Sequence, residues 1–203
     1  MEQYLYKYWK QSMKKLITLF IISLALGAGI SYAQTGTAGI YKSAGDFLNG
    51  KLTHQGKHTR IKLHEVFKKE LLVVKYNDST YTYFKKDLFG YVDKDGLTYR
   101  FFNNEIYPIL NPTEKILIYK QTYGLGIKNS PIVTKYFFSK EAGTEILPLT
   151  LKNLERVYSA DTLFDGFLEI HVKNDNELAE YDYIHKMYKL NRLFELSKTG
   201  KIN

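Results

Sequence analysis

No cysteine occurs in the 203 residues of this chain. That absence excludes disulfide staples and a thiol nucleophile. It also excludes an acyl anchor on a cysteine after an export signal, because position 34 is Gln34. The glycine-built motifs are missing as well: no G-x-S-x-G elbow, no phosphate-cradling loop and no G-x-G-x-x-G is present. Histidine is sparse, with five in the chain: His54, His58, His64, His171 and His185. His54 and His58 are separated by Gln55-Gly56-Lys57, which favours a loop over a helical ligand pair. His64-Glu65 opens like a zinc-protease helix, but Lys68 stands where the second histidine must be. Asp93-x-Asp95-Gly96 has the look of a calcium loop. Setting Gly96 on the obligatory glycine puts Tyr91 and Phe102 at the first and last ligand positions, and neither side chain suits calcium. No catalytic residue, metal or cofactor is expected from spacing alone.

Positive charge is plentiful but not concentrated. The net charge is +8, and Lys7, Lys10, Lys14, Lys15 and Glu2 fall in the first 33 residues, leaving 25 basic against 20 acidic residues in the remainder. The longest lysine runs there are the pairs Lys68-Lys69 and Lys85-Lys86. With no basic stripe, nucleic acid is not an expected partner.

The most specific segment is MKKLITLFIISLALGAGISYA, residues 13–33. Lys14 and Lys15 give a basic start, Leu16 to Ile30 an apolar run of 15 residues, and Ser31-Tyr32-Ala33 the small-x-small pattern of a cleavage site. Spanning a bilayer takes about 20 apolar residues. The run is shorter, and Gly27 and Gly29 loosen its end, so it reads as a signal peptide cut between Ala33 and Gln34. The expected product is periplasmic, extracellular or at the cell surface, with no membrane span after cleavage. Residues 13–30 are expected to form a helix with few contacts to the rest. The pattern begins at Met13, so Met13 reads as the initiator and residues 1–12 as a spurious extension.

The remaining 170 residues suffice for one domain held by its own core. Residues 34–39 read as a flexible leader and 40–203 as a single α+β domain. Ser43-Ala44-Gly45-Asp46 has capping-box spacing ahead of Phe47-Leu48, predicting a short helix ended by Asn49-Gly50. His54 to Arg60 reads as loop. Strands are expected over 61–67, 71–76, 80–84, 88–92, 97–102, 106–110, 115–121, 133–139 and 144–149, rich in Tyr, Phe, Ile, Val and Thr. Asn77-Asp78-Ser79, Asp93 to Gly96 and Asn103-Asn104 are the turns between them. A largely antiparallel β-meander sheet (61–149) followed by a C-terminal cluster of about three helices (150–198) is the predicted architecture. Thr150 is a good N-cap for 151–158, a second helix covers 162–172, and Asn174 and Glu177 cap a third running to about Leu196. On that third helix Leu178, Tyr181, Ile184, His185 and Tyr188 share one side, and Tyr183, Met187, Leu190 and Phe194 another. Burial on two sides is expected, with Asp182, Lys186 and Lys189 facing water.

Fourteen of the 18 tyrosines follow Tyr32. Tyr81, Tyr83, Tyr91 and Tyr99, with Arg100, fall on consecutive predicted strands. Exposed on one face they make an aromatic platform for sugars or peptides; buried, they are amphipathic core. Alternation puts Tyr99 with Leu97 and Phe101, which favours core.

GIYKSAGDFLNGKL (39–52), DLFGYVDKDGLTYRFF (87–102) and YDYIHKMYKLNRL (181–193) together resemble an uncharacterised family of exported Bacteroidota proteins. The resemblance covers most of the chain after the leader, and its motifs imply no activity. FGYVDKDG also resembles one hairpin of a WG-type β-repeat, without a second copy. In such bacteria Asp78-Ser79-Thr80 and Asp161-Thr162-Leu163 resemble O-glycosylated sites, which would make Ser79 and Thr162 the acceptors. The expected role is non-enzymatic binding or structure. The alternatives are a carbohydrate- or peptide-binding module using the tyrosine face, or a hydrolase whose residues meet only in three dimensions. A glycan and an envelope protein are the partner classes left open.

Overall fold

A computed structural model describes residues 36–63, 70–124 and 132–200, all within one compact unit, Thr35–Asn203. The expected signal segment, the helix expected over 13–30, the expected cut between Ala33 and Gln34, and the end of the strand expected over 61–67 lie outside the described residues.

The architecture is α+β, and every strand pairing is antiparallel. The strands are not one sheet, however. β1 (Ala38–Tyr41), β2 (Thr53–Gly56), β6 (Gly90–Val92), β7 (Thr98–Phe102) and β8 (Glu105–Pro108) form a five-stranded sheet in the order β2-β1-β6-β7-β8. β3 (Arg60–Leu63), β4 (Leu71–Tyr76) and β5 (Ser79–Phe84) make a second, and β9 (Leu117–Tyr123), β10 (Val133–Ser139) and β11 (Leu147–Pro148) a third. β12 (Tyr181–Asp182) and β13 (Met187–Tyr188) form a separate hairpin. The helices are α1 (Ala44–Leu48), α2 (Leu151–Tyr158), α3 (Thr162–His171) and α4 (Lys189–Thr199).

Local chemistry accounts for much of this. Ser43 Oγ accepts the Asp46 N–H at 3.0 Å and Thr150 Oγ1 the Asn153 N–H at 3.2 Å, capping α1 and α2 as expected. Asp93 Oδ1 accepts from the Asp95 and Leu97 N–H groups, each at 2.9 Å, and Gly96 takes φ +80° to close the β6–β7 hairpin. Asn77-Asp78 and Asn103-Asn104 each place two residues in the left-handed region, the twist that tight hairpins need. Gly90 faces a neighbouring strand so closely that a Cβ would lie 1.9 Å from the Tyr99 carbonyl oxygen.

Two strands of the first 60 residues fall where no strand is expected. Ala38 and Gly39, assigned to the leader, are buried in β1, the strand that joins β2 to β6. The expected loop from His54 to Arg60 instead holds most of β2 and the start of β3. Both are four residues long, and pairing with distant strands outweighs their weak local preference.

The third helix is the largest correction. Asn174 does cap, its Oδ1 accepting the Asn176 N–H at 3.1 Å, but only for a 3₁₀ segment, Asp175–Ala179. The chain then makes the β12–β13 hairpin before α4 begins at Lys189. Asp182 supplies the reason: its Oδ1 accepts the Ile184 and His185 N–H groups at 2.9 and 3.0 Å, a side-chain turn that competes with helix, and Lys186 takes φ +54°. Leu178 and Leu190 are buried as expected, whereas Tyr181, Tyr183 and Ile184 are exposed. Lys189, expected to face water, is half-buried in ion pairs.

Three cores result. α2, α3 and α4 pack on β9 and β10 through Ile116, Ile118, Phe138, Leu154, Phe164, Leu168 and Leu190. A second surrounds Phe47, Phe89 and Tyr119, and a third gathers Ile40, Leu72, Val74, Tyr91 and Phe101 between the five-stranded sheet and β4.

Candidate functional site

The five residues of the expected ligand face do not form one exposed row. Tyr81 and Tyr83 lie on β5, while Tyr91, Tyr99 and Arg100 lie on β6 and β7 of another sheet. Tyr91 is 5% exposed and stacks on Tyr99 with ring centroids 4.6 Å apart. Arg100 is equally buried, and alternation turns it to the opposite face from Tyr99. Tyr99 donates its hydroxyl to Asp93 Oδ2 at 3.0 Å; burial, with Asp93 adding to it, pushes its pKa up to about 12. These tyrosines serve the core and the turn, which is the amphipathic use that alternation favoured. Leu97, expected on the buried side with Tyr99, is exposed.

Tyr81 and Tyr83 meet a partner the sequence did not pair with them. His54, held at φ +54°, stacks on Tyr81 at 4.1 Å, and its Nε2 lies 2.6 Å from the Tyr83 hydroxyl. Burial, and next the charge of Lys42, hold the imidazole below its usual pKa. This cluster links β2 to the β3-β4-β5 sheet. Ser79 is exposed at the start of β5, and Thr162 is exposed as the first residue of α3. Asp161 caps α3 by accepting the Phe164 N–H at 3.4 Å and pairs with Lys198.

The polar groups that converge do so elsewhere. A cleft of about 480 Å³ opens between α3, β12 and α4. Phe167 and His171 come from α3, Glu180, Tyr181 and Asp182 from the stretch entering the hairpin, and Lys189, Arg192, Leu193 and Leu196 from α4. The hairpin, formed where helix was expected, is what turns Asp182 toward α4. Leu193 is buried and Tyr181 is 40% exposed, so the cleft combines apolar surface with a charged rim.

Those charges are matched in pairs. Arg192 Nη1 donates to Asp182 Oδ2, and His185 Nδ1 lies 2.9 Å from the same oxygen. The His185 backbone N–H, foremost among several donors, holds the Asp182 carboxyl well below the usual carboxylate range. Lys189 Nζ lies 2.6 Å from Glu177 and 3.7 Å from Glu180. His171 sits against Phe167, ring centroids 5.7 Å apart. Among the described residues no three His, Asp or Glu side chains gather as metal donors.

Sequence reasoning placed none of these residues in a site. Plotted on a continuous helix, Asp182 fell on the solvent strip and Tyr181 on an apolar side. The available signal was Asp182 two and three residues ahead of Ile184 and His185, the spacing of a side-chain turn.

No family model, no curated protein and no solved structure matches the chain.

Proposed function

We propose that this chain is an exported, non-enzymatic binding protein of the periplasm or cell surface, and that the cleft between α3, β12 and α4 takes a peptide segment of an envelope protein. The observation that carries the reading is the state of Asp182. A general acid or base must change protonation near the working pH. Asp182 accepts from the Ile184 and His185 backbone, from Arg192, and lies against the His185 ring, so at neutral pH it is held as an anion. Glu180 has Lys189 beside it. Fixed, paired charges around Phe167, Leu193 and Leu196 suit recognition: an apolar side chain on the floor and polar backbone at the rim. The leader pattern of residues 13–33 and the resemblance to exported Bacteroidota proteins support the compartment.

The alternative binding reading, a sugar on the tyrosine face, rests on Tyr81, which is 37% exposed and stacked on His54. Two-dimensional NMR of the purified protein, titrated separately with Ala-Phe-Ala and with cellotriose, separates the two. The expected result is that the peptide moves the amides of Phe167, His171, Tyr181 and Arg192. Shifts at Tyr81 and Tyr83 with the trisaccharide alone would overturn the peptide reading.

A further inference from the structure

A further unusual charge is Arg100, on β7 and away from the cleft. It is a buried guanidinium with no carboxylate within ion-pair distance among the described residues. Its Nη1 donates to the Tyr119 hydroxyl at 2.9 Å and its Nη2 to the Thr144 carbonyl at 2.6 Å, both neutral acceptors. The rings of Phe89 and Phe102 lie 5.3 and 5.5 Å from its guanidinium carbon and share in holding the charge. A guanidinium carries five N–H donors, and the others of Arg100 have no acceptor among the described residues. A buried cation is ordinarily paired with an anion.

A shallow hollow of about 280 Å³ lies over it. Lys42 and Lys86 line the same hollow, and neither makes an ion pair among the described residues. Asp87 also contributes to the lining, outside ion-pair distance of any of the three cations. The turn residues Ala142 and Gly143 keep one wall low, with no long side chain to fill the space.

We infer that this hollow is a binding site for an oxyanionic group, a carboxylate, sulfate or phosphate, seated between Arg100, Lys42 and Lys86. The oxyanion supplies the counter-charge that Arg100 lacks, and its oxygens accept from guanidinium N–H groups, the strong charge-assisted class of hydrogen bond. The proposal is independent of the peptide cleft, because the two sites share no residue.

The test is thermal unfolding of the purified protein titrated with sodium acetate, sulfate or phosphate, each against sodium chloride at matched ionic strength. At least one oxyanion is expected to raise the melting temperature saturably above the chloride control. Acetate as the active ion indicates an acidic side chain or chain terminus as the natural source, and sulfate or phosphate a free or ester-linked tetrahedral anion. Lys42 and Lys86 are exposed, so a Lys42→Gln/Lys86→Gln variant keeps the core intact. It should bind the same ion about tenfold more weakly, a rise of about one decade in the dissociation constant. No saturable rise over chloride with any of the three ions, or an undiminished rise in the double variant, overturns the proposal.

Discussion

Asn191 on α4 binds Ile116 as a neighbouring strand would: its Oδ1 accepts the Ile116 N–H at 2.9 Å while its Nδ2 donates to the Ile116 carbonyl at 2.9 Å. Asn111 continues the pattern, donating to the same carbonyl at 2.8 Å and accepting the Ile118 N–H at 2.6 Å. Both amides are buried. Together they satisfy the backbone leading into β9 and tie the last helix to the sheet. Asn191→Leu leaves the Ile116 N–H without its acceptor in a sealed site. A loss of about 1–3 kcal/mol is expected in urea unfolding, the cost of a stranded buried polar group. An unchanged midpoint would contradict the pairing.

Phe194 is only half-buried, with Tyr158 and Phe164 at 5.8 and 5.1 Å, whereas Phe164 is fully buried. Truncation to alanine should therefore separate the two. Phe164→Ala should cost about 3–5 kcal/mol, as for a sealed aromatic, and Phe194→Ala about 2 kcal/mol. Equal losses in denaturant unfolding would mean that Phe194 is as enclosed as Phe164.

What was legible in the sequence was local. Ser43, Thr150 and Asp93 act within four residues of themselves, and each does what its spacing implied. What was illegible depends on distant partners. β1 exists because Val92 and Gly90 lie opposite Gly39 and Tyr41, and Asn191 acts on a residue 75 positions away. The span from Tyr181 to Tyr188 has helical apolar periodicity, yet the Asp182 turn and the Arg192 contact favour a hairpin. The cleft followed from that hairpin, so it was invisible for the same reason.

Acid should loosen the C-terminal helices first. Asp182 is lowered chiefly by the His185 N–H, Asp161 by Lys198 and Glu177 by Lys189. A carboxyl lowered in the folded state adds stability that is fully present above its unfolded pKa, near 4, and is lost as pH falls through its folded value. Melting temperature should decline slightly as pH falls through about 6.5, where the unfolded chain takes up the His54 proton before the folded one, and fall steeply below about pH 4. Asp182→Asn should melt lower at pH 7 and lose less on acidification. A parallel decline of variant and parent would show that Asp182 is not among the groups responsible.

What the α3–β12–α4 cleft does to a peptide separates binding from catalysis most directly. Equilibrium binding of Ala-Phe-Ala to the purified protein, with mass spectrometry of the peptide afterwards, measures both halves of the claim. Saturable binding of a peptide that stays intact is expected, weakened about tenfold when Phe167→Ala removes part of the apolar lining. Cleavage of the peptide, or the same affinity in Phe167→Ala, would contradict it.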